Sequence, residues 1–122
     1  MTYHDNIEKQ TLENTDFRRV IFTAKNQQLV LMSLKPGEEI GEEVHDDIDQ
    51  FFRIEQGEAT FVVDGKEFKA TDGYAVIVKA GSKHNVISSG DETLKLYTIY
   101  SPPEHPDKTV HKTKKDAEAS VH

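Results

Sequence analysis

The chain has 122 residues, enough for one domain rather than two, with 35% hydrophobic and 30% charged side chains. Its 22 acidic against 15 basic residues leave a formal net charge of −7, which argues against a nucleic-acid partner, because phosphate binding draws on basic patches. The lack of cysteine excludes disulfides, thiolate zinc sites, iron–sulfur clusters and a cysteine nucleophile; with no long apolar run and no basic-then-apolar leader, the expectation is a cytoplasmic protein with no membrane partner.

Residues 1–16 are polar, with Ile7 and Leu12 the only aliphatic anchors after the start methionine, and an edge strand is expected there. From residue 17 to 101 the pattern predicts closely spaced strands at 17–24, 28–34, 50–55, 59–63, 66–70, 74–78, 84–88 and 94–101. Each run is short, rich in β-branched or aromatic residues and bounded by turn residues. Asp64-Gly65 is the clearest hairpin signal, since both central residues of a two-residue type I′ turn take positive φ. Asp72-Gly73 and Gly90-Asp91 mark further turns. No helical apolar period is sustained in this region, so an all-β sandwich or barrel is predicted. Residues 102–122 form a tail whose Pro102, Pro103 and Pro106 cannot join a central strand. Within it, 113–119 fits one or two helical turns, with Thr113 as N-cap and Asp116 completing a short capping box.

Only His45 and His84, of six histidines, lie inside the strand-rich region. His45 sits in the densest acidic stretch of the chain, with Glu38, Glu39, Glu42, Glu43, Asp46, Asp47 and Asp49. A solvated turn accounts for most of these acids. Glu43 and His45 are two apart, so on an extended segment their side chains leave the same face. A hairpin closed by residues 46–49 would bring Gln50 opposite that pair, and His84, opening a later strand, would join it across the barrel.

These residues carry a family resemblance. Gly37, Glu43-Val44-His45, Gln50 and Gly57 keep every interval of the first signature of the cupin superfamily, with Glu43 in place of its first histidine and Gln50 in place of its glutamate. Gly73, Lys79-Ala80-Gly81, His84 and Ser88 keep the intervals of the second, with Lys79 in place of its proline and Ser88 in place of its asparagine. The chain thus resembles a small single-domain cupin, which implies a jelly-roll β-barrel over residues 17–101, a homodimer, and a small-molecule ligand near one divalent metal. By the same resemblance the metal ligands are Glu43, His45, Gln50 and His84, and the ion is iron, manganese, nickel or zinc. The carboxylate has moved from the family glutamate position to Glu43, leaving the formal ligand charge unchanged. Asp49 is a rival to Gln50, and a cupin that folds without metal is the alternative reading of the whole group.

Parity places Phe52 and Ile54 beside Gln50, and Val86 and Ser88 beside His84, as pocket-lining residues. Tyr97 and Tyr100 take opposite faces of the last strand, and Tyr100 is assigned to the pocket. His105 is a candidate lid if the tail folds over the barrel mouth. His111 is expected in an exposed loop, Lys79 and Lys83 on the surface, and His4 and His122 have no assigned role. The function expected is a metalloenzyme acting on a small oxygen-rich substrate, of dioxygenase, isomerase or lyase type; the alternative is a non-catalytic ligand-binding or sensor module.

Overall fold

A computed structural model describes residues 1–120, so His122 lies outside the described residues. The elements in order are α1 (Ile7–Glu13), β1 (Arg18–Thr23), β2 (Gln28–Leu34), β3 (Asp49–Gln56), β4 (Ala59–Val63), β5 (Lys66–Ala70), β6 (Ala75–Val78), β7 (His84–Ser88), β8 (Leu94–Ser101), β9 (Val110–His111) and α2 (Lys114–Ala119). They form a six-stranded sheet, β6-β3-β8-β2-β1-β9, and a three-stranded sheet, β5-β4-β7. The chain is all-β in the jelly-roll manner expected, as two facing antiparallel sheets rather than one continuously closed barrel.

Alternation builds the core. On β8, Leu94, Leu96, Thr98 and Tyr100 are buried while the residues between them are not, and β3 does the same with Gln50, Phe52 and Ile54. Phe52 of the large sheet meets Phe61 of the small one edge to face at 5.2 Å between ring centroids. Leu31, of opposite parity to Val30 and Met32, is buried on the other side of β2, where α1 packs against β2, β3 and β8.

Two glycines are required by the local backbone. Asp64 and Gly65 take φ of 50° and 83°, as a type I′ turn requires, and join β4 to β5 with Val63 opposite Lys66. Gly57 has φ of 89°, and a Cβ there would stand 3.0 Å from the Thr93 carbonyl oxygen.

The ends of the chain depart from expectation. Residues 7–13 are a helix, not an edge strand, because the Asn6 side chain caps it by accepting from the Lys9 N–H at 3.0 Å. The sheet edge beside β1 is taken instead by β9, with His111 opposite Arg18. His111 is therefore a buried strand residue, 8% exposed, not an exposed loop residue. The predicted C-terminal turns are α2, whose cap Thr113 accepts from the Asp116 N–H at 3.1 Å. Among the described residues no helix is long and apolar enough to cross a membrane.

Candidate metal centre

Glu43 is joined by backbone to His84, not to Gln50: its N–H donates to the His84 carbonyl at 2.8 Å and its carbonyl accepts from the His84 N–H at 2.9 Å. The hairpin expected to face Gln50 with Glu43 is thus replaced by a bridge to the start of β7. The Gly81 N–H donates to the His45 carbonyl at 2.9 Å and fixes the next residues of the same segment. The result brings together Glu43, His45 and His84, each offering one ligand atom, all within 4.8 Å of one another.

The imidazoles are oriented by their other nitrogens. His84 Nδ1 lies 3.1 Å from the Ser82 carbonyl, to which it can only donate, and this leaves the Nε2 lone pair free. His45 Nδ1 lies 3.0 Å from Glu104 Oε2, with the same consequence. Both Nε2 atoms are buried and have no hydrogen-bond partner. His45 Nε2 stands 3.8 Å from Glu43 Oε1, too far for a hydrogen bond but close enough for ion pairing when the ring is protonated. The Glu43 carboxylate raises His45 above its ordinary range, with burial opposing and Glu104 assisting. Burial pushes the Glu43 carboxyl up, but His45, Arg18 and His84 together outweigh it and hold it low.

Gln50 is almost fully buried on β3, opposite Tyr100. Its Nε2 donates to Thr98 Oγ1 at 2.9 Å, and the Thr98 hydroxyl donates onward to the Phe51 carbonyl at 2.8 Å. Because the hydroxyl proton is committed to Phe51, the amide must present its N–H to Thr98. Gln50 Oε1 is left buried with no hydrogen-bond partner. Asp49 is exposed and accepts from the Ala80 N–H at 2.9 Å, holding a turn instead of the centre.

The other predicted site residues separate into two groups. Tyr100 is buried, with its ring edge-on to His45 at 5.9 Å and its hydroxyl 3.3 Å from His105 Nε2. Burial above all, with Glu43 and Glu104, pushes the Tyr100 phenol up, so it stays protonated at neutral pH. Tyr97 faces outward against Phe51. Phe52 lies 6.2 Å from the His84 ring, but Phe52, Ile54 and Val86 are members of the packed core. Ser88 is buried at the far end of β7 from His84. Lys83 is exposed and pairs with Glu42 at 3.7 Å.

The cavity beside the triad, about 180 Å³, is lined by Glu43 together with Phe17, Arg18, Glu104, His105 and Lys114, among others. Glu104, Arg18 and Gln28 are the residues that sequence reasoning missed. Gln28, fully buried on β2, clamps the tail: its amide nitrogen donates to the His105 carbonyl at 2.7 Å, and its oxygen accepts from the His105 and Glu104 N–H groups at 2.9 and 3.2 Å. Arg18 carried a readable signal, a charged residue on the same parity as buried Val20 in β1. Glu104 carried none, because nothing local to a proline-flanked tail says which face it covers.

The comparisons with known proteins agree with this fold. The family profile of the cupin domain matches residues 30–100. The chain is 47% identical to the uncharacterized protein YrkC of Bacillus subtilis over 94% of its own length, and spans 65% of that relative's length. It is 49% identical to an uncharacterized protein of Acanthamoeba polyphaga mimivirus, over 85% of this chain and 68% of that one. A Bacillus halodurans crystal structure superposes with a TM-score of 0.96 at 40% identity, covering 98% of this chain and 96% of the other. With both signatures folded onto one site and the profile spanning more than half of its residues, the chain belongs to the cupin family.

Proposed function

We propose that Glu43, His45 and His84, joined by the Gln50 amide oxygen, hold one divalent transition metal, and that the protein is an enzyme acting on a small oxygen-rich substrate. The observation that carries this reading is the pair of buried histidine Nε2 atoms without partners, each turned inward by a hydrogen bond at Nδ1, beside the Glu43 carboxylate. Buried polar atoms are normally satisfied, and lone pairs converging from two neutral imidazoles and a carboxylate fit a cation. That set suits iron(II) or manganese(II), and zinc and nickel also accept imidazole.

A bound divalent ion supplies Lewis-acid polarisation of a substrate oxygen or a coordination position for a small reactant. The chain's own residues supply the rest. Glu104 and the Ser82 carbonyl keep the two rings in the tautomer that presents Nε2. Tyr100 keeps its phenolic proton and can donate it in a hydrogen bond toward the site. His105 lies against that hydroxyl, and the clamped tail limits access of water.

A non-catalytic ligand-binding module using the same centre is the second reading, favoured by the small adjoining cavity. Elemental analysis of protein purified without chelator tests the metal, with about one equivalent per chain expected and most of it lost in His84→Ala. Full occupancy in that variant would place the metal elsewhere. Turnover of small oxygen-rich candidates by the loaded protein separates enzyme from binder.

A further inference from the structure

Arg18 is the one buried cation among the lining residues of the cavity beside the triad. It sits on β1 at the inward parity of Val20 and is 6% exposed. Its Nη1 approaches His111 Nδ1 at 3.3 Å and its guanidinium lies 5.5 Å from the Phe17 ring centre. Its Nε is buried with no hydrogen-bond partner. None of the ion pairs among the described residues includes Arg18. A buried guanidinium with no carboxylate in direct contact is costly and leaves room for an anion at its free N–H groups.

The other charges at this cavity are already engaged. Lys114 donates to the Glu39 carbonyl and lies 3.9 Å from Glu118. Glu104 is held on His45, and Glu43 belongs to the triad. Arg18 acts on the Glu43 carboxylate at a distance, and a dication held by Glu43 would take up that charge and leave the guanidinium open to another anion.

We propose that this cavity is an anion subsite in which the Arg18 guanidinium binds the carboxylate group of a small ligand. This rests on the metal reading for the neighbouring centre and adds the substrate class: a short-chain carboxylate. Size supports the choice, since about 180 Å³ falls below the roughly 300–1,000 Å³ of pockets that take drug-sized ligands. Chemistry supports it too, because the planar guanidinium fork matches a carboxylate where a lysine would offer only a point charge.

The test uses the full chain, stripped with chelator and reloaded with manganese(II), at constant ionic strength. Acetate is the probe and acetamide its neutral isostere; manganese content is read by elemental analysis and binding by the rise in melting temperature across a concentration series. The expected result is a response to acetate and none to acetamide, with roughly tenfold weaker acetate binding in Arg18→Gln at unchanged manganese content. Arg18→Lys keeps the charge without the fork and is expected to fall between the two, which carries the test if Arg18→Gln does not fold. Equal acetate binding in wild type and both variants, an equal response to acetamide, or no response at all overturns the anion subsite. Acetate binding that depends on Arg18 in a chain that takes up no manganese supports the subsite and overturns the metal reading alone.

Discussion

Glu104 Oε2 lies 3.0 Å from His45 Nδ1, so a residue of the C-terminal tail sets the orientation of a ring at the candidate metal centre. The Gln28 amide makes this contact durable by holding the main chain of Glu104 and His105 from inside the large sheet. The tail runs past the triad. The residue it places on the triad is Glu104, while His105 rests on Tyr100.

If Glu104 fixes the His45 tautomer, Glu104→Ala is expected to weaken metal affinity roughly 10- to 100-fold while leaving the melting temperature of the metal-free protein almost unchanged. Competition against a fluorescent chelator measures it. Unaltered affinity would reduce Glu104 to a surface contact.

Glu43→Gln is expected to weaken metal binding more than Gln50→Ala does, because Glu43 brings the only formal negative charge among the four and an amide oxygen is a neutral, weaker ligand. Glu43→His, towards the family pattern, should restore affinity only in part unless Gln50 also becomes Glu. Equal losses in Glu43→Gln and Gln50→Ala, by the same competition assay, would undo the idea of a relocated carboxylate.

The pH dependence of stability should change sign with metal. In the metal-free protein His45 is raised above its ordinary 6.5, chiefly by Glu43, so its contribution is fully present below that value and is lost as pH rises through the folded pKa. Glu43 is lowered below its ordinary 4.5 despite burial, so its contribution is present above that value and is lost as pH falls through the folded pKa. The pair therefore favours the metal-free fold most between the two ordinary values. Metal binding needs neutral imidazoles, so its contribution is expected at about pH 8 and should fade towards about pH 5. Melting curves with metal and with chelator at both values check this. A chelator-sensitive gap of equal size at both would assign the ion to carboxylates alone, most simply the acidic run around His45.

Gln28→Leu should destabilise the fold by about 2 kcal/mol or more, since it strands main-chain groups of Glu104 and His105 that the buried amide now satisfies. Denaturant unfolding measures the loss, and limited proteolysis should show earlier cleavage within residues 102–108. A variant as stable and as resistant as wild type would mean that the tail is held by β9 and α2 alone.

Much of this protein is local and therefore legible from its sequence. Period-two alternation and turn residues determine strands such as β2, β4, β5, β7 and β8, because each pattern is set by neighbours in the chain. The spacing around His45 and His84 likewise singles out Glu43, His45 and His84, which lie within reach of one another. Other features depend on contacts distant in sequence. Residues 7–13 became a helix because Asn6 could cap it and β9 had taken the sheet edge. His111 was buried by pairing with Arg18. Glu104 gained its place only because Gln28, on a strand far back in the chain, grips the tail. Alternation tells which face a side chain takes, but the partner waiting on that face is chosen by how the sheets pack, and the tertiary structure alone decided that.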